Sequence, residues 1–205
     1  MKLSIVIPVF NSSKIIIKLI KSIKKNIKKK SRFEIILIND YSEDSSWKTI
    51  KSLAKKYKFV KGINLNENYG QHYAIFAGLK FAKGKNIICM DDDMQHDPAY
   101  INKITNVLDK GFDVCYVKYL KRKHSYIKIL VSWLNNIVSS FLMSKPINIY
   151  TSSYKGFKKK VKINILKNSG RFVFLDYWMF KFLKKITFIA VKHKNFELLN
   201  LVPFT

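Results

Sequence analysis

Cysteine is scarce in this chain, and its scarcity argues against one class of protein. The 205 residues include two cysteines, Cys89 and Cys115. Both lie inside short apolar runs, at residues 87–90 and 114–116, where buried free thiols are common. We therefore expect reduced core thiols rather than the disulfide framework of a small secreted domain, and a reducing cytoplasm fits this composition.

Long hydrophobic runs are also missing. No apolar stretch reaches the ~18 residues that a membrane-spanning helix needs. The first apolar run, residues 3–10, is short and is interrupted by Pro8, which is unlike a signal peptide. The sequence therefore predicts a protein that can lie on a membrane without crossing it.

Acidic residues are few, at 13 against 39 lysines and arginines, which gives a formal net charge of +26. Such a field attracts anions, including nucleic acid, anionic lipid and phosphorylated substrates. Nearly all of this charge is lysine in a chain rich in Ile and Asn, so compositional bias explains much of it equally well. No RNA-recognition aromatic motif, helix-turn-helix pattern or zinc-ligand spacing is present. The charge is therefore the only support for a non-catalytic basic module that binds nucleic acid or membrane, and no nucleic-acid partner is expected.

What the sequence does contain is a repeated strand and helix pattern in its first half. Apolar runs at residues 3–8, 33–38, 59–65, 86–90 and 112–119 predict five strands, and helical periodicity lies between them. Continuous apolar strands joined by helices predict an α/β, Rossmann-like fold with a mostly parallel sheet flanked by helices. The length suits a single domain.

Local signals set the expected ends of these elements. Pro8 is expected to stop the first strand, and Gly62 is a weak point in the third. Ser12 or Ser13 is expected to cap the first helix. A later helix is expected to start at Asp97, because the proline that follows it is favoured in a first turn.

The second half has a different pattern. Residues 126–143 place apolar side chains on one helical face and polar ones on the other, which predicts a strongly amphipathic helix. Such a helix either covers a core or lies on a membrane surface. A core-covering helix is the first interpretation, and the basic segment at residues 118–123 just before it supports the membrane alternative.

Three consecutive aspartates follow the fourth predicted strand. Carboxylates as crowded as Asp91, Asp92 and Asp93 repel one another unless a cation is present, and oxygen ligands suit Mg²⁺ or Mn²⁺. Ligands bind beyond the carboxyl ends of parallel strands, and Asn11 and Asp40 also follow strands. A solvated acidic loop is the alternative for the triplet, and helix capping is the alternative for Asp40.

Several motifs, in order, resemble family-2 inverting glycosyltransferases. Residues 5–11 resemble their opening strand, residues 39–45 their second motif, and residues 68–84 the helix leading to their metal strand. Asp-Asp-Asp-Met-Gln-His at residues 91–96 is similar to the D-x-D-x-Q-H motif of the polyprenyl-phosphate branch. That branch includes dolichyl-phosphate and undecaprenyl-phosphate sugar transferases, and the resemblance covers nearly the whole chain.

The resemblance implies a GT-A fold with a donor half and an acceptor half in one domain. Residues 1–119 would form the nucleotide-sugar-binding core, and residues 120–205 the acceptor and membrane side. In the donor half, Pro8, Val9 and Asn11 would line the nucleotide pocket.

The resemblance also assigns roles to the acidic residues. Asp40 would contact the base. Gln95 sets the register that makes Asp91 and Asp93 the motif aspartates, with Asp93 the principal ligand of Mg²⁺ or Mn²⁺ and Asp91 near the ribose or the metal. Gln95 would lie near the donor sugar or the acceptor phosphate. Asp92 occupies the variable place, where its charge either tightens metal binding or faces solvent.

The implied acceptor is a polyprenyl phosphate at the cytoplasmic face of the membrane. Its oxygen is already anionic and needs no protein base, but cations must hold it. The residues expected to bind this phosphate are Lys118, Arg122, Lys123, Ser153 and Lys155. The alternative is a family-2 enzyme with a hydroxyl acceptor in surface polysaccharide or lipopolysaccharide synthesis, which would need a carboxylate base. A homo-oligomer is compatible with either.

The resemblance stops near the end of the sequence. Family members follow the Val-x-His segment, here residues 191–193, with an Arg, a Gly-x-Ser-x-Tyr stretch and further amphipathic or membrane-spanning helices. Residues 194–205 do not contain these features. We therefore expect the acceptor-side closing loop and the membrane anchor to be missing from this sequence.

Overall fold

The computed structural model describes residues 2–27, 32–120, 140, 147, 149–170, 174–182 and 185–192. A 3₁₀ turn at Pro98–Tyr100 precedes the fourth helix. The strands and helices in these ranges are, in chain order, β1 (Leu3–Val9), α1 (Ser13–Asn26), β2 (Phe33–Asn39), α2 (Ser46–Lys56), β3 (Val60–Asn64), α3 (Gln71–Phe81), β4 (Asn86–Cys89), α4 (Ile101–Asp109), β5 (Val114–Leu120), β6 (Lys155–Lys158), α5 (Lys159–Asn168), α6 (Leu175–Phe182) and β7 (Ile186–Lys192).

The strands form one sheet in the order β3-β2-β1-β4-β6-β5-β7. Strands β1 to β4 are parallel, β7 is parallel to β5, and β6 runs antiparallel between β4 and β5. The mostly parallel, helix-flanked sheet predicted from the sequence is confirmed. The insertion of β6 was not predicted, because Lys-Gly-Phe-Lys is short and contains residue types that are depleted in strands.

Each face of the sheet carries its own apolar layer. Alternate residues of β1 point to opposite faces, as the period of a strand requires. Ile5 and Ile7 pack with the buried sides of α1, α2 and α4. Val6 packs with those of α3, α5 and α6. All seven residues of β1 are buried, as expected for a central parallel strand covered on both faces.

The two cysteines belong to these layers. Cys89 and Cys115 are free and fully buried. Burial raises the pKa of each thiol to about 12, so neither is a thiolate at neutral pH. The expectation of buried free thiols is confirmed.

Pro8 does not end β1, which continues to Val9, so the predicted strand end is wrong. The carbonyl of Val6 accepts a hydrogen bond from Met90 beyond β4, and that of Val9 accepts one from Asp40 beyond β2. Backbone groups of alternate residues point to opposite neighbouring strands, so those of Pro8 point toward β4, as those of Val6 do. Val6 is the last residue of β1 that pairs with β4, and Pro8 lies two residues beyond it. Its missing N–H therefore leaves no ladder bond unmade.

Gly62 is required by packing rather than being a weakness in β3. A Cβ atom at this position would lie 2.5 Å from Ile50 Cγ2 and 3.1 Å from Trp47. The absence of a side chain allows α2 to approach the strand closely.

Several sequence expectations fall on residues outside the described ranges. They are the amphipathic helix at 126–143, the basic residues Arg122 and Lys123, and the final segment at 193–205. Among the helices that the structure describes, none is long and apolar enough to cross a membrane.

A buried carboxylate in β2 joins β1, β3 and the segment after α3 near the amino ends of the parallel strands. Glu34 in β2 is 1% exposed and accepts hydrogen bonds from Ser4 Oγ at 2.7 Å and from the Lys83 backbone at 2.8 Å. Its second oxygen pairs with Lys61 Nζ at 2.7 Å. Burial alone would raise the pKa of Glu34, but these donors hold it below its ordinary value.

Glu34→Gln is expected to lower the free energy of unfolding by about 2 kcal/mol at neutral pH, because it breaks charged hydrogen bonds in a buried site. The folded pKa lies below the unfolded one, so this stabilisation is present above the unfolded pKa and lost as pH falls through the folded pKa. Urea unfolding across pH should show the deficit shrink in acid. The exposed Glu67→Gln is the control. A deficit that does not change with pH would contradict this assignment.

Candidate functional site

The loops that follow β1, β2 and β4 meet at the carboxyl edge of the sheet and enclose a pocket of about 370 Å³. Its lining consists of Pro8, Val9, Phe10, Asp40, Asn68, Gly70, Gln71, Asp91, Asp92 and Asp93. Pro8, Val9, Asp40, Asp91 and Asp93 were predicted from the sequence, and the structure brings them together. Asn11 and Gln95 lie outside this lining.

The backbone is strained around this pocket. Among the described residues, the non-glycine positions with positive φ are Asn11 at 52°, Tyr41 at 57° and Met94 at 65°. They lie in the loops after β1, β2 and β4 respectively. Left-handed backbone at non-glycine residues persists where surrounding contacts enforce it, and it clusters at functional sites.

Asn11 joins two of these loops. Its Oδ1 accepts a hydrogen bond from the Glu43 backbone at 2.9 Å, and its own N–H donates to Ser42 Oγ at 3.0 Å. The structure therefore places Asn11 beside the pocket, where it holds the β1–α1 loop against the β2–α2 loop.

Asp44 caps both helices that begin at this edge. Its Oδ2 accepts from the Ser13 backbone at 3.0 Å, and its Oδ1 accepts from the Ser46 backbone at 2.8 Å. Partial burial would raise its pKa, but hydrogen bonds from Ser46 and Ser13 lower it to about 2. Ser12 is the N-cap residue of α1, as expected, but its side chain makes no cap hydrogen bond, and Asp44 accepts from the Ser13 N–H instead.

Asp40 is not a helix cap. It is 4% exposed, and its Oδ1 accepts a hydrogen bond from the Tyr69 backbone at 2.9 Å. Its own N–H donates to the Val9 carbonyl at 2.9 Å. Asp40 thus fixes the segment before α3 against the end of β1 while it lines the pocket.

Asp91 is held by protein donors on both carboxylate oxygens. Gln71 Nε2 donates to Oδ1 at 2.5 Å, and Ser153 Oγ donates to Oδ2 at 2.7 Å. The Asp91 backbone donates to His96 Nδ1 at 2.9 Å, so a neutral His96 carries its proton on Nε2. That nitrogen lies 3.4 Å from Ser153 Oγ, and the ring stacks on Tyr154 at 4.8 Å.

Gln71 lines the 370 Å³ pocket and was not predicted from the sequence. It is the first residue of α3 and follows Gly70, whose φ is 81°. The resemblance of residues 68–84 to a family helix includes this position, but no pattern indicated that Gln71 reaches across to Asp91.

Asp92 and Asp93 have different surroundings. Asp92 Oδ2 accepts from the Phe10 backbone at 3.2 Å. Burial raises the pKa of Asp92, opposed by hydrogen bonds from Ser12 and Phe10. Asp92 therefore does more than face solvent, because it fixes the loop after β1. Asp93 is exposed, and its Oδ1 accepts from the Gln95 backbone at 2.9 Å.

A divalent cation fits this donor set only with ligands from elsewhere. Within the ranges that the structure covers, no group of three or more His, Cys, Asp or Glu side chains is arranged to hold a metal. Asp91 is already engaged by Gln71 and Ser153, whereas Asp93 is exposed. Oxygen donors of this number suit a hard cation that takes its remaining ligands from phosphates and water.

The described residues predicted to bind an acceptor phosphate are divided between two cavities, with Lys118 at one and Ser153 and Lys155 at the other. Ser153 Oγ donates its hydrogen bond to the Asp91 carboxylate. Lys118 Nζ lies 4.5 Å from the centre of the Tyr150 ring, and both residues line a separate pocket of about 430 Å³. Arg122 and Lys123 lie outside the described residues.

Lys155 occupies a buried polar cluster beneath the site. It is 2% exposed, and its Nζ pairs with Asp176 Oδ1 at 2.5 Å. Tyr116 Oη donates to the same oxygen at 2.7 Å. Lys155 and Asp176 border a cavity of about 230 Å³. Gln71 and Ser153, which hold the Asp91 carboxylate, line the same cavity.

Two curated relatives are undecaprenyl-phosphate 4-deoxy-4-formamido-L-arabinose transferases. The protein from Proteus mirabilis is 28% identical and that from Salmonella choleraesuis 30% identical, each over 198 residues. Each alignment covers 96% of this chain and 61% of the relative. The chain therefore spans about 61% of the length of these relatives.

Solved structures of other proteins share the fold. TarS 1–349 from S. aureus superposes with a TM-score of 0.66 at 20% identity, covering 94% of this chain and 59% of that one. Glucosyl-3-phosphoglycerate synthase from Mycobacterium tuberculosis, in complex with Mn²⁺, UDP-glucose and phosphoglyceric acid, superposes at 0.64 with 14% identity, covering 95% and 72%. The expected GT-A fold is confirmed.

A family model provides the assignment. The model described as "Glycosyl transferase family 2" matches residues 4–176. The match takes in the strands and loops that build the 370 Å³ pocket and extends to the Lys155–Asp176 pair. The chain belongs to glycosyl transferase family 2.

Proposed function

We propose that this chain transfers a sugar from a nucleotide-sugar donor to a polyprenyl phosphate at the cytoplasmic membrane face, with inversion and with a divalent metal. The observation that carries the proposal is the convergence of Asp40, Asp91 and Asp93 on one pocket at the carboxyl edge of the sheet. The names of the curated relatives support the acceptor. TarS in complex with UDP-GlcNAc supports the donor class.

In this proposal the donor nucleotide occupies the 370 Å³ pocket. Pro8 and Val9 provide an apolar wall, and Asp40 accepts a hydrogen bond from the base. Asp93, with Asp91 beside it, would hold Mg²⁺ or Mn²⁺. A bound metal of this class neutralises charge on a leaving diphosphate. Gln71 and Ser153 keep the Asp91 carboxylate in a fixed orientation.

The acceptor phosphate would approach from the side of Ser153 and Lys118. A phosphate oxygen attacks the anomeric carbon, the bond from that carbon to the nucleotide diphosphate breaks, and the diphosphate leaves. Because the attacking oxygen is already anionic, the protein's part is to position the phosphate and screen its charge.

A hydroxyl acceptor would need a carboxylate ready to take its proton. Asp176 borders the second cavity, but its Oδ1 already accepts from Lys155 and Tyr116. Asp91 already accepts from Gln71 and Ser153. With Asp93 assigned to the metal, the engagement of Asp91 and Asp176 supports a phosphate acceptor, which needs no base.

Nucleotide release provides the test. Purified protein is incubated with a panel of nucleotide sugars, with and without Mn²⁺ or Mg²⁺, and with undecaprenyl phosphate, a glycan acceptor or no acceptor. We expect nucleotide diphosphate release that needs both metal and lipid phosphate, and NMR of the product should show an inverted anomeric configuration. Release that needs a glycan hydroxyl instead would establish the alternative acceptor. Release that is unchanged by chelation would contradict the metal role.

A further inference from the structure

Helix α1 presents a stripe of lysines to solvent. Its buried side is formed by Ile16, Leu19, Ile20 and Ile23. The opposite side carries exposed lysines at positions 14, 18, 21 and 25, a spacing that follows the helical period. The helix has five lysines in all and no acidic residue.

Helix α2 lies beside α1 and repeats the pattern. Its four lysines, at positions 48, 51, 55 and 56, are all exposed, and it also has no acidic residue. The two helices therefore form a continuous basic face, here called the α1–α2 face. The nine exposed lysines of the two helices have no acidic neighbour within either helix.

A groove of about 350 Å³ runs between the two helices. Lys21, Lys48 and Lys56 stand along it, and Ile17, Leu53 and Tyr57 give it an apolar lining. Ile17 is 43% exposed. The face thus combines dense positive charge with an apolar side chain, Ile17, that is open to solvent.

We propose that the α1–α2 face docks on an anionic phospholipid bilayer. Lysines near a membrane surface are attracted by acidic headgroups, and their long stems let them reach phosphates while apolar neighbours enter the interface. Ile17 beside the groove would gain contact with acyl chains. A nucleic-acid backbone would offer this isoleucine nothing comparable.

The position of the face suits an enzyme that works at a membrane. Helices α1 and α2 both begin at the carboxyl edge, where Asp44 caps Ser13 and Ser46. Docking through these helices holds the rim of the donor pocket near the lipid. The choice of a membrane as the partner rests on the proposed function. Binding of the face to lipid does not itself require catalytic activity.

The test is co-sedimentation of the full chain with phospholipid vesicles. Vesicles of neutral phosphatidylcholine are compared with vesicles that also contain phosphatidylglycerol. One variant removes four lysines of the face, K18Q, K21Q, K48Q and K55Q. The matched control removes four exposed lysines from elsewhere, K2Q, K85Q, K110Q and K167Q.

We expect the native chain to bind the anionic vesicles and not the neutral ones. The face variant should weaken binding by at least about tenfold, and the control variant by much less, because headgroup attraction falls off within a Debye length. Ile17→Ser should also weaken binding to the anionic vesicles. Its effect should be several-fold larger in high salt than in low salt, because salt screens the lysines and leaves the apolar contribution. Circular dichroism of each variant verifies its fold.

Two results would overturn the inference. Equal losses in the face variant and the control would show that net charge alone drives binding. Retention of native binding by the face variant would place docking elsewhere on the chain. Nucleotide-sugar binding in solution, measured by calorimetry, separates this inference from the proposed function, because a chain that docks but binds no donor refutes only the latter.

Discussion

Asp93→Asn is expected to lower kcat/KM by about a hundredfold or more. Loss of a group that merely supports a metal ligand costs 10- to 100-fold, and Asp93 is proposed as a direct ligand. The amide keeps the size of the side chain and can still accept from the Gln95 backbone, as the carboxylate does now. The charge is therefore the main property removed. The concentration of Mn²⁺ or Mg²⁺ needed for donor binding should rise in parallel.

A matched substitution isolates this effect. Asp109 is exposed at the end of α4 and accepts a hydrogen bond from Asn86 at the start of β4, at the opposite edge of the sheet. Asp109→Asn changes the net charge equally but should leave kcat/KM and metal dependence unaltered. Calorimetry of donor binding with and without metal gives a second readout. If Asp93→Asn bound donor with unchanged metal dependence, Asp93 would not be the ligand.

The pocket at the carboxyl edge of the sheet was predictable because its signals are local in sequence. Strand ends follow from apolar runs that stop, and parallel strands place their carboxyl ends together. The sequence alone therefore indicates that Asp40 and Asp91 line one pocket. The register of Asp93 came from the resemblance of residues 91–96 to a known motif.

The rest of the site depends on pairings that no short pattern encodes. Ser153 reaches Asp91 because β6 inserts antiparallel beside β4, at a sequence separation of 62 residues. Gly156 permits that insertion, since a Cβ atom there would lie 2.3 Å from Ile104 Cγ2. Lys155 was predicted as a phosphate ligand from the family resemblance of its segment, and no sequence pattern indicated that the fold buries it against Asp176.

Lys155→Met is expected to lower the free energy of unfolding by about 3–5 kcal/mol. Removing one partner of a buried pair leaves the other charge uncompensated, and Asp176 is itself 5% exposed. Tyr116 would remain as one donor to that carboxylate. Urea denaturation measures the loss. The exposed Lys159→Met, on the element that follows β6, is the control and should change stability by less than about 0.5 kcal/mol.

A double variant separates a structural role for Lys155 from the predicted acceptor role. Lys155→Met with Asp176→Leu replaces the pair by apolar side chains, which is often neutral for stability, and should recover part of the loss, because Tyr116 loses its carboxylate acceptor. If Lys155 serves only to neutralise Asp176, the folded double variant should keep its KM for undecaprenyl phosphate. If its ammonium also reaches the acceptor through the 230 Å³ cavity, that KM should rise while donor binding stays unchanged. Little loss of stability in the single variant would contradict the buried pair itself.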